Sequence, residues 1–179
     1  APPPAVPIKE SLMHLHPADV LFAGEKPFPI LPAVDHYAGA EKLMLKALKL
    51  QQELGPVFDL TCDCEDGAQA GTEAEHARMV VEVVNGAENH FGRVGARIHD
   101  ITHPHWQHDL EILVGGAGRR LAFITIPKVR AAADAAEQIR ALRRVEAACG
   151  LERALPVHVL IETHGALREA WEIAALDGV

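Results

Sequence analysis

The sequence predicts an α/β fold on a parallel sheet, either doubly wound or a (β/α)8 TIM barrel truncated after about five βα units. Three observations point there. Short β-branched runs alternate with longer helical patterns along the chain, as crossover helices between parallel strands require. Several strand candidates end in a charged residue on the face opposite their apolar stripe, which is where parallel barrels build active sites. No GxGxxG follows a strand, since GGAG at 115–118 precedes one, so a dinucleotide-binding reading is discounted. A complete barrel takes about 200 residues or more, and this chain has 179.

The elements follow in order. DVLFA (19–23) is the first strand candidate, after a Pro-rich N-terminal arm over residues 1–18. The stretch GEKPFPILPAVDHYAG reads as a loop, and its prolines withhold the donors a strand needs. A helix spans roughly Ala40 to Glu53, with Leu43, Leu45, Leu48 and Leu50 among its apolar residues. VFDLTCD is the second strand, and Thr72 begins a helix running through HARMVVEVV. GARIHD is the third strand, and THPHWQHDLEIL leads into the third helix. LAFITIPKV is the fourth strand, followed by an Ala-rich helix over 131–148 that Gly150 closes. VHVLIET is the fifth strand, GALREAWEIAA its helix, and a sixth strand is expected to begin near LDGV.

Composition narrows the classes of function. The chain is 49% hydrophobic and carries a formal charge of -8. That charge argues against nucleic acid, where phosphate neutralisation dominates binding, and no basic stretch suits an anionic membrane. The apolar runs are too short to span a bilayer, and APPPAVPIKE does not read as a secretory signal. Three cysteines, with Cys62 and Cys64 in one strand, fit a reduced cytoplasmic protein better than a disulfide framework. Both read as small packing residues, and Trp106 and Trp171 as helix-packing aromatics.

Strand alternation sorts the polar residues. In FDLTCDCED, Leu60, Cys62 and Cys64 share the apolar face, while Thr61, Asp63 and Glu65 share the polar one. Asp66 falls just past the strand, as a loop or helix-start acid. In VHVLIET, Val157, Val159 and Ile161 face away from His158, Leu160 and Glu162. Arg97 and His99 share a face of GARIHD, and Lys128 ends the fourth strand. Asp63, Glu65 and Glu162 thus supply negative charge at strand ends, and Arg97 and Lys128 positive charge. Carboxylates beside an arginine suit a hard divalent cation such as Mg²⁺ together with an anionic substrate. The plainer reading makes each of them a salt-bridged strand end, but a sealed core rarely tolerates five together.

These residues also form motifs. DCEDGA resembles the DLEDAV-type strand of the citrate lyase β-subunit and malyl-CoA lyase group, within the HpcH/HpaI aldolase superfamily. ARIHDITHPHWQHDL resembles its VRIND…T..W..DL segment, with Arg97, Asp100, Thr102, Trp106 and Asp109 in register. IPKV and VLIETHGAL resemble its PKV and ETxxAL strands. The resemblance runs from about Val20 to Val179 and implies a Mg²⁺-dependent (β/α)8 barrel, commonly a trimer or hexamer. It implies cleavage of a hydroxyacyl-CoA, such as citryl-CoA or malyl-CoA, to a keto acid and an acyl-CoA. Glu162 would be a metal ligand, Arg97 would contact substrate oxygens, and Asp63 and Glu65 would surround the metal's waters. The other expected ligand is an Asp on the sixth strand, beyond Val179, and the general base is unassigned. A CoA-independent hydroxy-acid aldolase and a non-catalytic acyl-CoA or keto-acid-binding paralogue are the alternatives.

Two departures matter. His99 stands where the group usually has Asn, which alters a hydrogen bond near the site. The first loop lacks the PGxRP arginine that helps relatives hold CoA, and Lys26 is a candidate substitute. In that loop Asp35, His36 and Tyr37 read as plain loop residues, with a pocket wall as the alternative. The spacing of His103, His105 and His108 fits no tight zinc chelate.

Overall fold

The computed structural model describes residues 34–179, apart from Gln69. The N-terminal arm, the strand candidate at residues 19–23 and Lys26 lie outside the described residues. The described elements alternate: β1 (Asp35–Ala38), α1 (Glu41–Leu54), β2 (Asp59–Asp63), α2 (Glu73–Asn85), β3 (Val94–Arg97), α3 (Trp106–Ala117), β4 (Ile124–Ile126), α4 (Ala132–Ala148) and β5 (Val157–Val159). Two short helices follow, α5 (His164–Arg168) and α6 (Ala170–Ala174). All five strands are parallel and lie in chain order, β1-β2-β3-β4-β5. A doubly wound sheet reverses its strand order at a switch point; this one does not, and its single winding is that of a (β/α)8 barrel.

The helix-facing side of the sheet is apolar. Leu60, Cys62, Val94, Ala96, Ile124, Ile126 and Val157 are buried, and meet stripes at helical spacing. Helix α2 contributes Ala77, Val80, Val83 and Val84, and α3 contributes Trp106, Leu110, Leu113, Val114 and Ala117. Fully burying each such Leu or Val is worth about 1.5–3 kcal/mol, so these stripes hold the helices on the sheet. Burial pushes the Cys62 thiol up to about 12, and both strand cysteines are packing residues.

The opposite face carries the polar side chains in register. Tyr37, Thr61 and Gly95 align across β1, β2 and β3. One step further along, Asp63, Arg97, Thr125 and His158 align across β2 to β5. Between these layers Phe123 folds inward over Gly95, where an added Cβ would lie 2.2 Å from its ring. Phe123 then stacks on His158 at 4.1 Å.

Three sequence expectations change. Asp35, His36 and Tyr37 are a strand, not a loop, because pairing with β2 supplies what their weak local propensity lacks. The expected single helix over 165–175 breaks at Glu169, which leaves helical geometry (φ -107°, ψ 26°) and accepts the Ala132 N–H at 2.8 Å. Trp106 packs as expected, but Trp171 is 88% exposed and packs on no described core.

At the C-terminal ends of β1 and β2 the two loops nearly touch. A Cβ at Gly39 would sit 2.0 Å from the Gly67 carbonyl oxygen. Gly39→Ala is therefore expected to push the loops apart and destabilise the protein by about 1–3 kcal/mol, read as a lower urea midpoint.

Candidate active site

The register that places Asp63 beside Arg97 builds the centre of the site. Arg97 Nε and Nη2 donate to the two Asp63 carboxylate oxygens at 2.7 and 2.6 Å, the planar fork-to-fork pairing that arginine alone provides. Asp63 also accepts the Glu65 N–H at 3.0 Å and the Gly67 N–H at 2.8 Å. Burial alone would raise its pKa; the Arg97 hydrogen bonds, the two amides and the Arg97 charge outweigh that and hold it below the usual carboxylate range. Arg97 itself is only 8% exposed, and its guanidinium carbon lies 5.2 Å from the Tyr37 ring centroid. Burial pushes the Tyr37 hydroxyl up to about 12, so it stays protonated at neutral pH.

The third nitrogen of Arg97 meets two further acids. Nη1 lies 3.2 Å from Glu65 and 3.8 Å from Asp66. Lys128 Nζ closes the group, 3.1 Å from Glu65 and 2.7 Å from Asp66; β4 ends at Ile126, so Lys128 lies in the segment after the strand and not at its end as expected. Both Glu65 oxygens are buried and at ion-pair distance from these two cations. Burial therefore pushes the Glu65 carboxyl up against the pull of Lys128 and Arg97. Lys128 sits in the left-handed region at φ 49°, the only described residue other than glycine to do so. Such a backbone costs about 1–3 kcal/mol and persists only when its surroundings fix it. Here its amide donates to Glu162 Oε1 at 2.8 Å while its ammonium is held by Asp66 at 2.7 Å.

The five residues singled out from sequence thus form one chain of contacts: Asp63–Arg97–Glu65–Lys128–Glu162. Glu162, exposed just beyond β5, joins through the Lys128 backbone. Among the described residues, no three His, Cys, Asp or Glu side chains gather closely enough to hold a metal by themselves.

A cavity of about 230 Å³ opens beside this chain, lined by Glu65, Asp66, Glu73, His99, Asp100 and Lys128 among others. The sequence pattern gives too little weight to two residues around it. Asp66 lies past the strand, where alternation says nothing, yet it bridges Lys128 and Arg97. Asp109 occupies the apolar stripe of α3 at 1% exposure, and its Oδ2 lies 2.6 Å from His99 Nδ1. An acid at a core position of an amphipathic helix was the signal.

Asp63 makes the site's contribution to stability pH-dependent. A carboxyl with a depressed folded pKa stabilises above its unfolded value, about 3.9, and that stability is lost as pH falls through the lower folded value. The urea midpoint is therefore expected to fall steeply below about pH 4, and Asp63→Asn is expected to flatten that limb.

A parallel barrel-type sheet here carries a buried arginine and a set of carboxylates at the C-terminal ends of its strands, the end where such barrels build active sites. The chain belongs to the HpcH/HpaI aldolase/citrate lyase family, whose sequence model matches residues 38–179. It is 32% identical over 118 residues to an L-malyl-CoA/beta-methylmalyl-CoA lyase of Cereibacter sphaeroides, covering 65% of this chain and 36% of that one. The Rhodobacter capsulatus protein of the same name is 28% identical over 127 residues, covering 71% and 39%. Among solved structures, a citrate lyase from Burkholderia xenovorans LB400 is 52% identical with a TM-score of 0.80, over 85% of this chain and 47% of that one. A Haloferax volcanii malate synthase in a magnesium/glyoxylate complex shares the fold, with 21% identity and a TM-score of 0.63 over 74% of this chain and 42% of that one. The chain spans between a third and a half of the length of these relatives.

Proposed function

We propose that this chain carries the N-terminal part of the active site of a Mg²⁺-dependent carbon–carbon lyase. Its substrate would be a hydroxyacyl-CoA of the malyl-CoA or citryl-CoA kind, cleaved to a keto acid and an acyl-CoA. The observation that carries the reading is Arg97, immobilised by Asp63 and Tyr37, with Nη1 3.2 Å from Glu65, which lines the cavity together with Lys128.

Each residue has a definite task in that chemistry. Arg97 and Lys128 would receive the substrate carboxylate and the developing oxyanion, and a fixed donor is worth most where water is excluded. Asp63 would hold the guanidinium plane so that little reorganisation is needed as charge moves. Glu65, paired with Lys128 and Arg97 at the edge of the cavity, would add negative charge beside water bound to a cation, and Glu162 would be the direct ligand. Water, substrate oxygens and the expected sixth-strand Asp would complete the set, since Mg²⁺ usually takes only one or two carboxylates. When bound, the cation would act as a Lewis acid on the hydroxyl and carboxylate of the substrate.

The cavity volume bears on the alternatives. About 230 Å³ is below the roughly 300–1,000 Å³ of pockets that enclose a drug-sized ligand. It suits the hydroxy-acid end of the substrate, with any CoA portion lying outside. A CoA-independent aldolase remains the second reading, favoured by that size. The resemblance also leads us to propose a trimer or hexamer. No described helix is long and apolar enough to cross a membrane, and we propose a cytoplasmic location. Calorimetry of the full-length protein with glyoxylate, oxaloacetate and pyruvate tests the site directly. At least one should bind only with Mg²⁺ present, and no binding of any would refute the reading.

A further inference from the structure

His99 lies two residues beyond Arg97 and is held through both its backbone and its ring. Its backbone N–H donates to Asp109 Oδ2 at 2.9 Å, and its Nδ1 lies 2.6 Å from the same oxygen. Its carbonyl accepts from Gln138 Nε2 at 3.2 Å. One ring face is covered by His103, stacked at 4.0 Å and 13° from parallel. The ring is 7% exposed and lines the cavity that Glu65 and Lys128 also line. An oxygen accepting the His99 amide is an acceptor toward the ring as well, so Nδ1 carries the hydrogen. That leaves Nε2 as the ring nitrogen able to exchange a proton with a ligand.

We propose that His99, oriented by Asp109, is the proton carrier of the carbon–carbon cleavage, a role that rests on the lyase reading above. Nε2 accepts the proton of the substrate's β-hydroxyl. The O–H electron pair becomes the second bond of the new keto-acid carbonyl. The pair of the breaking carbon–carbon bond passes to the thioester as an enolate. The proton on Nε2 then returns to the enolate carbon, so the dyad ends as it began and no co-reactant is consumed.

The surroundings suit that task. Burial would lower the His99 pKa, but the Asp109 hydrogen bond and charge, with smaller help from Glu65 and Glu73, raise it above the ordinary histidine value. Burial, and then the charge on His99, push the stacked His103 down, so the pair does not charge together readily. Asp66, Asp100 and Lys128 complete the charged groups around the cavity. The other acids are committed elsewhere: Asp63 to Arg97, and Glu65 between Arg97 and Lys128. His99 also occupies the position where the resemblance places Asn, which cannot carry a proton at neutral pH, so His99→Asn is the natural discriminating variant.

The test uses the full-length protein with Mg²⁺ and malyl-CoA or citryl-CoA across pH 5–9. Circular dichroism melts establish that each variant folds. His99→Asn and His99→Gln are expected to lose roughly 10²–10⁴-fold in kcat with KM changed less than about threefold. The acid limb of the native kcat profile, set by a base that must be deprotonated, should vanish in both. Asp109→Asn should lower kcat and move that limb to lower pH, a shift that loss of packing alone would not produce. If the native protein cleaves an ester and a folded His99→Asn keeps its rate and pH limb, the His99 role is wrong while the lyase reading stands. If the native protein cleaves neither these nor any other hydroxyacyl-CoA, the lyase reading fails and the His99 role falls with it.

Discussion

Arg97→Met is expected to destabilise the protein by about 3–5 kcal/mol, because removing one partner of a buried ion pair leaves the other charge unpaired. The substitution orphans Asp63, which takes two of the Arg97 nitrogens, and strips Glu65 of one of its two cations. Both acids then take up protons more readily, so the loss should be largest at neutral pH and smaller near pH 4. Arg97→Lys is not a mild version of this change. A lysine cannot bridge both Asp63 oxygens in one plane or stack on Tyr37, and more than half of the effect should remain. Pairing Asp63→Asn with Arg97→Met should restore part of the stability, since the neutral amide oxygen can still accept a backbone N–H while no unpaired charge is left buried. Activity should stay lost in the double variant. Urea denaturation of the three variants, beside their cleavage rates, separates what the pair does for the fold from what it does for the substrate.

Glu162→Gln should act in the opposite manner. Its carboxylate is exposed, and its one described bond is acceptance of the Lys128 N–H at 2.8 Å, which the Gln carbonyl can also make. Stability should therefore change by less than about 0.5 kcal/mol. The catalytic loss should be large, on the order of 10²–10³-fold in kcat, the scale seen when a preorganised charge-stabilising group is removed. A lower apparent affinity for Mg²⁺ should accompany it, visible as a rightward shift when the rate is titrated with the metal. Glu162→Ala removes the acceptor as well, freeing Lys128 from its left-handed backbone. It should thus add a modest stability change that Gln lacks.

Much of this arrangement is legible in the sequence. Alternation along β2 placed Asp63 and Glu65 on the face opposite Leu60 and Cys62, and parallel register then sets Asp63 beside Arg97. The helices were legible from their apolar spacing, with boundaries close to those found for α1 to α4. What alternation could not reach lies where the chain leaves regular structure. Asp66 follows the strand, so its contact with Lys128 depends on a turn whose path needs Gly67 close against Gly39. Tyr37 sits in a four-residue strand after several prolines, and only its partner strand β2 shows it to be one. His99 stands out in the sequence as a departure, and Asp109 as part of a motif. Their pairing at 2.6 Å comes from helix α3 packing over the end of β3, which no local pattern encodes. Trp171 failed for a different reason: an aromatic on an amphipathic helix reads as buried, and within the described residues nothing covers it.

The most direct test of the central claim is a cleavage assay of the full-length protein. Malyl-CoA, beta-methylmalyl-CoA, citryl-CoA and the corresponding CoA-free hydroxy acids would be supplied in turn, with Mg²⁺ and with EDTA, while keto-acid release is followed. The account predicts that at least one CoA ester is cleaved with Mg²⁺, that EDTA abolishes the release, and that added Mg²⁺ restores it. Release that is undiminished in EDTA, or no keto acid from any ester, would contradict it.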